Sequence, residues 1–219
     1  MAVAAAATVF AGFAPTYFLR GLSSSPALPP LLHVHGLVFT CWIALFVTQV
    51  LLIAARRTDL HRRLGIAGAG LAVLMLAIGF VTAVDSARRG VTPLDGLSPL
   101  VFLVVPLGDL VVFAGLAGSG LYFRRRSETH KRLMLLSTIG LLTPAIARLP
   151  FVAGGGPPTF FGLTDLFVVG CFAYDRITHG RVNPAFLWGG LYLVASQPLR
   201  LLVGGTDAWL AAAGWLTGS

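Results

Sequence analysis

Two short segments of this chain set a histidine in the same company. Arg56-Arg57-Thr58-Asp59-Leu60-His61-Arg62-Arg63-Leu64 aligns without a gap on Arg125-Arg126-Ser127-Glu128-Thr129-His130-Lys131-Arg132-Leu133; five of nine positions are identical and three are conservative. A fainter third copy runs Arg176-Ile177-Thr178-His179-Gly180-Arg181-Val182. Each copy joins one apolar run to the next, so His61, His130 and His179 are expected at one depth, each near the start of a helix. A helix N-terminus and flanking arginines both disfavour the imidazolium, which favours the neutral ring that offers a lone pair to a metal. Three such histidines would bind a metal ion together. Alternatively, His61 and His130 would be the two axial ligands of a haem iron, with arginines pairing to its propionates. The plainer account is a set of arginine-rich turns, with Thr58/Asp59 and Ser127/Glu128 capping the helices that follow and the histidines meeting lipid phosphates.

A second set of residues lies inside the apolar runs. Asp109, Arg148, Asp165 and Arg200 are ionisable, His35 begins a run, and Gln197 and Tyr17 add polar groups. Ionisable side chains in a membrane segment are costly and face the bundle interior. The two arginines and two aspartates balance in charge, which predicts one neutral network in the half of the bundle opposite the arginine-rich turns. Such a network would serve a substrate, a proton or a metal, or would only fix helix register. His33 and His35 stand about 200° apart around a helix, so one of them faces inward, and His35 is the one expected to.

Composition says what must hold these residues. Of 219 residues, 56% are hydrophobic and 11% are charged, with a mean hydropathy of +0.84. A soluble domain carries roughly a quarter charged residues. A soluble globular enzyme and a disordered chain are excluded. The net charge of +8 does not point to nucleic acid either, because the basic residues sit in short turns between apolar runs. A bilayer crossing needs about 20 apolar residues, and seven stretches qualify: 2–19, 30–55, 64–84, 97–123, 132–153, 157–175 and 184–204. The expected fold is all-α, a single integral membrane domain over residues 1–219 made of one helix and three helical hairpins. Pro30, Pro99, Pro157 and Pro184 suit first helical turns. Gly154, Gly155 and Gly156 form a predicted tight turn, and residues 207–219 an interfacial tail.

Eleven of the sixteen basic residues fall in the turns after the second, fourth and sixth stretches. The positive-inside rule then puts those turns and the N-terminus in the cytoplasm and the C-terminus outside. Cys41 and Cys171 lie in apolar runs, which predicts buried thiols and no disulfide framework. The one lysine, Lys131, is at the edge of the fifth stretch, too shallow for a retinal Schiff base. Neither a zinc-protease helix motif nor a serine nucleophile elbow is present.

His35, then His61-Arg62-Arg63-Leu64-Gly65, then His130-Lys131-Arg132-Leu133-Met134 and Arg148 together resemble a family of bacterial multi-pass membrane proteins of uncharacterised function, over about residues 30 to 150. The layout is also loosely similar to b-type transmembrane cytochromes, which hold haem between histidines of neighbouring helices. That resemblance implies haem b, or a transition-metal ion, at His61 and His130, and a redox role in the bacterial inner membrane. The chain departs from the two-haem pattern, since its other face offers only His33 and His35, on one helix. Two further functions compete with this one. The first is a small proton-linked transporter or permease using His35, Asp109, Arg148, Asp165 and Arg200. The second is a non-catalytic sensory or assembly subunit. The lipid bilayer is the one partner the sequence specifies; a redox or membrane-complex partner is left open, and no nucleic acid is expected.

Overall fold

The computed structural model describes residues 1–22, 27–92, 96–152 and 155–218, and within them the chain is helical, with no strand. The helices are α1 (Ala2–Phe13), α2 (Pro30–Ala54), α3 (Thr58–Arg88), α4 (Pro99–Tyr122), α5 (Ser127–Gly140), α6 (Thr143–Ile146), α7 (Gly156–His179), α8 (Pro184–Gly204) and α9 (Asp207–Thr217). Five of them, α2, α3, α4, α7 and α8, are long and apolar enough to cross a membrane. The prolines at 30, 99, 157 and 184 all occupy first-turn positions, where a missing N–H leaves no bond unmade. Gly154 lies outside the described residues, and Gly156 takes a φ of 68° as α7 begins.

Two of the seven predicted spans are not single regular helices. The stretch 132–153 is divided: α5 ends at Gly140, and α6 restarts at Thr143 for one turn. Pro144 explains the break, because its ring clashes with the carbonyl four residues back, that of Gly140, and it has no N–H to offer. With 14 residues, α5 is about 21 Å long, short of a bilayer core. The stretch 2–19 begins as α1 and passes at Pro15 into a π-helical turn, Ala14–Phe18, closed by Leu19 N–H donating to the Ala14 carbonyl. The segment expected as an interfacial tail is helical. It folds as α9, capped by the Thr206 hydroxyl, and Trp209 Nε1 donates to the Leu100 carbonyl of α4 at 2.9 Å.

Helix α4 is the centre of the bundle. One core packs it with α5, α7 and α8 through Leu116, Leu136, Ile139, Phe160 and Leu193. A second packs its Phe113 against Trp42 of α2 and Met75 of α3, with the Trp42 and Phe113 rings edge-to-face at 5.0 Å. Lipid tails are as apolar as leucine, so close packing rather than escape from water must hold these helices together. Glycine permits that where a side chain would collide. A Cβ at Gly12 would overlap the Ala145 carbonyl, so α1 rests backbone-to-backbone on α6, and a Cβ at Gly108 would overlap the Arg200 side chain.

Candidate functional site

The two strong copies of the histidine motif open their helices at the same position. α3 starts at Thr58 and α5 at Ser127, with Arg57 and Arg126 as the N-cap residues and no side-chain cap at either. The expected Thr/Asp and Ser/Glu caps are therefore one residue inside the helix, where Asp59 and Glu128 lie in the first turn and complement the helix dipole. His61 and His130 stand one turn in, and their rings meet edge-to-face with centroids 6.2 Å apart.

The surroundings of this pair set the chemistry of its nitrogens. His130 Nδ1 lies 2.7 Å from the Gly120 carbonyl oxygen. That carbonyl is in the last turn of α4, where Arg124 N–H bonds Leu121 instead, so it is free to accept, as helix-end carbonyls are. A carbonyl only accepts, so Nδ1 carries the proton, and Nε2 of the neutral ring keeps its lone pair. Gln49 of α2 donates its amide N–H to the His61 carbonyl at 3.2 Å, which fixes the amide and leaves Oε1 as an acceptor. Gln49 Oε1 and His61 Nδ1 are both buried, and neither has a hydrogen-bond partner among the described residues. Sequence reasoning missed Gln49; its signal was a lone amide in an otherwise apolar run, twelve residues before His61.

His179 does not join this pair. The third motif copy continues α7 instead of opening a new helix, and the helix stops only at Gly180, in the left-handed conformation at φ 70°. His179 is therefore in a last turn, where its Nδ1 is 3.4 Å from Asp175. Among the described residues no three histidine, cysteine or carboxylate side chains converge on a metal position, so the expected triad of His61, His130 and His179 is not assembled.

Beside His179 is a charged cluster that was not anticipated. Arg132, read from sequence as a loop cation, is 3% exposed, and Asp175 is fully buried. The guanidinium meets the carboxylate through two parallel hydrogen bonds, Nε to Oδ2 at 3.0 Å and Nη2 to Oδ1 at 2.6 Å. Its Nη1 reaches the Glu128 side chain and carbonyl. Asp175 Oδ2 also accepts from the Asn183 N–H at 3.0 Å, tying the α7–α8 turn to α5. Arg132, Asp175 and Glu128 are all paired, which marks a joint between helices.

Glu128, at the exposed edge of this joint, has its carboxyl held down to about 2 by Lys131 and then Arg132. A carboxyl lowered from its ordinary 4.5 contributes stability above that value and loses it as pH falls from about 4.5 to about 2. In thermal unfolding in mild detergent, Glu128→Gln is therefore expected to be less stable than the parent at pH 6, with the difference closing over that window.

The predicted single network of intramembrane residues is divided into separate groups. Arg200 of α8 pairs with Asp109 of α4 and also donates to Ser196 Oγ and the Val105 carbonyl. Asp165 of α7 accepts from Gln197 at 2.8 Å and has no arginine partner among the described residues. Arg148, beyond the break after α5, donates to the Pro144 carbonyl and covers the Phe13 ring at 4.7 Å, so it meets neither aspartate. The break redirects it: a continuous helix would have carried it along the bundle axis. His35 stacks on Phe39 at 4.2 Å with Nδ1 buried, while His33 is exposed and holds α1's extension through its carbonyl and the Tyr17 hydroxyl. No family model, curated protein or solved structure matches this chain.

Proposed function

We propose that the chain is a multi-pass inner-membrane protein that holds a transition-metal ion between His61 and His130, at the end of the bundle that faces the cytoplasm, and that this ion serves a redox role. The observation that carries the reading is two buried polar atoms without partners on residues that touch, His61 Nδ1 and Gln49 Oε1, beside a histidine whose other nitrogen is already committed to Gly120. A ring centroid stands about 3 Å from an ion bound to one of its nitrogens, so two rings sharing one ion lie roughly 5–6.5 Å apart. The 6.2 Å separation here falls in that range. The Gly120 contact is the kind that orients metal-binding imidazoles in general, and an imidazole-rich set suits copper, iron, zinc or nickel. Two histidines and one amide leave coordination positions open, which an ion engaged in chemistry requires.

A small ion suits the geometry better than haem. The two rings meet edge-to-face, and Gln49 is fixed directly against His61, where a macrocycle would need a wide flat slot. The test is metal analysis and visible spectroscopy on protein purified in mild detergent, oxidised and then reduced. About one copper or iron per chain, with a spectrum that changes on reduction, is the expected result. A Soret band would restore haem, zinc would remove the redox role, and a protein that takes up no metal when offered each ion would overturn the reading.

A further inference from the structure

At the end of the bundle that carries the arginine-rich turns, the start of α5, the end of α7 and the turn into α8 border an open cavity of about 430 Å³, lined by Glu128, Arg132, Asp175, His179, Arg181 and Asn183. That volume is within the range of small-molecule sites. The two carboxylates in the lining are spent. Glu128 meets Lys131 with one oxygen and Arg132 with the other, and both oxygens of Asp175 accept from Arg132. The donors are not used up in the same way. Asn183 gives its amide oxygen to the Ala185 N–H at 2.9 Å, which leaves its NH2 group, and Arg181 has no hydrogen bond or ion pair to a described residue. Arg132 and Lys131 already serve Glu128 and Asp175, so Arg181 is a cation in excess at this cavity.

Unspent donors and a spare positive charge select an anion. A guanidinium fork matches phosphate oxygens two at a time, and an amide NH2 adds a further N–H. A metal cation is the poorer fit, since it would have to displace Arg132 or Lys131 from the carboxylates. The surroundings add a second indication. His179, half-exposed at the cavity, meets the Tyr174 ring at 6.1 Å. Tyr174 and Ile177 are exposed on α7, one of the membrane-length helices. The polar lining therefore passes into an apolar outer face across a tyrosine, a residue type that collects at the headgroup level of a bilayer. We propose that this cavity binds a phosphate group through Arg181 and the Asn183 amide, carried by an anionic phospholipid whose chains lie along α7 or by a small soluble phosphate ester.

The test is native mass spectrometry of the full chain in mild detergent, titrated separately with phosphatidylglycerol and with glycerol 3-phosphate. Saturable binding of one of them is expected, weakened at least fivefold by Arg181→Gln and unchanged by Arg63→Gln, which removes an exposed arginine outside the lining. Asn183→Asp is the second variant: aspartate also caps a helix, so α8 keeps its start while the NH2 donor becomes a carboxylate, and binding should fall at least as far. Phosphatidylglycerol responding in this way would name a lipid as the source, and glycerol 3-phosphate alone would name a soluble ester. Phosphatidylcholine, whose choline already neutralises its phosphate, should bind more weakly than phosphatidylglycerol. Equal weakening by Arg181→Gln and Arg63→Gln, no weakening by Arg181→Gln and Asn183→Asp, equal affinity for the two lipids with no binding of the soluble ester, or no saturable binding of either probe would overturn the proposal.

Discussion

His130→Ala is expected to weaken binding of a first-row divalent ion at least 100-fold, while His179→Ala leaves it unchanged. Loss of a group that merely orients a ligand costs about 10- to 100-fold, so loss of the ligand itself should cost at least about 2.7 kcal/mol. Gln49→Leu should give a smaller loss, since an amide oxygen is a weaker ligand than an imidazole for these ions. Affinity should also fall on acidification, because protons compete for the same lone pairs. Isothermal titration in detergent measures all three. Equal losses in His130→Ala and His179→Ala would point to damage at the shared end of the bundle rather than to a ligand.

Asp175→Leu is expected to be the most destabilising single change on that face, by about 3 kcal/mol. Removing one partner of a buried ion pair leaves the other charged and dry, at about 3–5 kcal/mol. The lower figure applies because Glu128 still holds Arg132. The Asn183 N–H loses its acceptor as well. Replacing both residues, Asp175→Leu with Arg132→Met, should recover much of the loss, because an apolar pair of similar volume is often as stable as the ion pair it replaces. Unfolding in mixed detergent micelles gives the three values, and a double variant as unstable as the sum of the singles would show that the two do not act as a pair.

The sequence was most informative where the physics is local. Apolar run length placed α2, α3, α4, α7 and α8, and prolines marked the starts of α2, α4, α7 and α8, because both effects act within a turn or two. The two strong motif copies predicted that His61 and His130 share a level, and their rings do meet. The third copy misled, since the residues before His179 prolong a helix and the same letters then fall at its other end. Arg148 misled for a related reason: hydropathy averages over a window and passes over one residue such as Pro144. Arg132 and Asp175 are 43 positions apart. Nothing in either neighbourhood says that a loop arginine will be drawn inward by an aspartate on another helix. Such pairings are decided by packing, which a single chain of letters leaves unstated.

The seat of α1 has a consequence in time. Gly12 rests on Ala145, which the ribosome adds 133 residues later. At 5–20 residues per second, that interval is about 7–27 s, during which α2, α3 and α4 are all made. The neighbours of α1 include α2, α5 and α6, and the closest approach, backbone on backbone, is to the one made last. An apolar segment formed early thus waits in the lipid for a notch that opens only when the chain breaks at Pro144, and a folding factor acting on this protein would meet it in that interval.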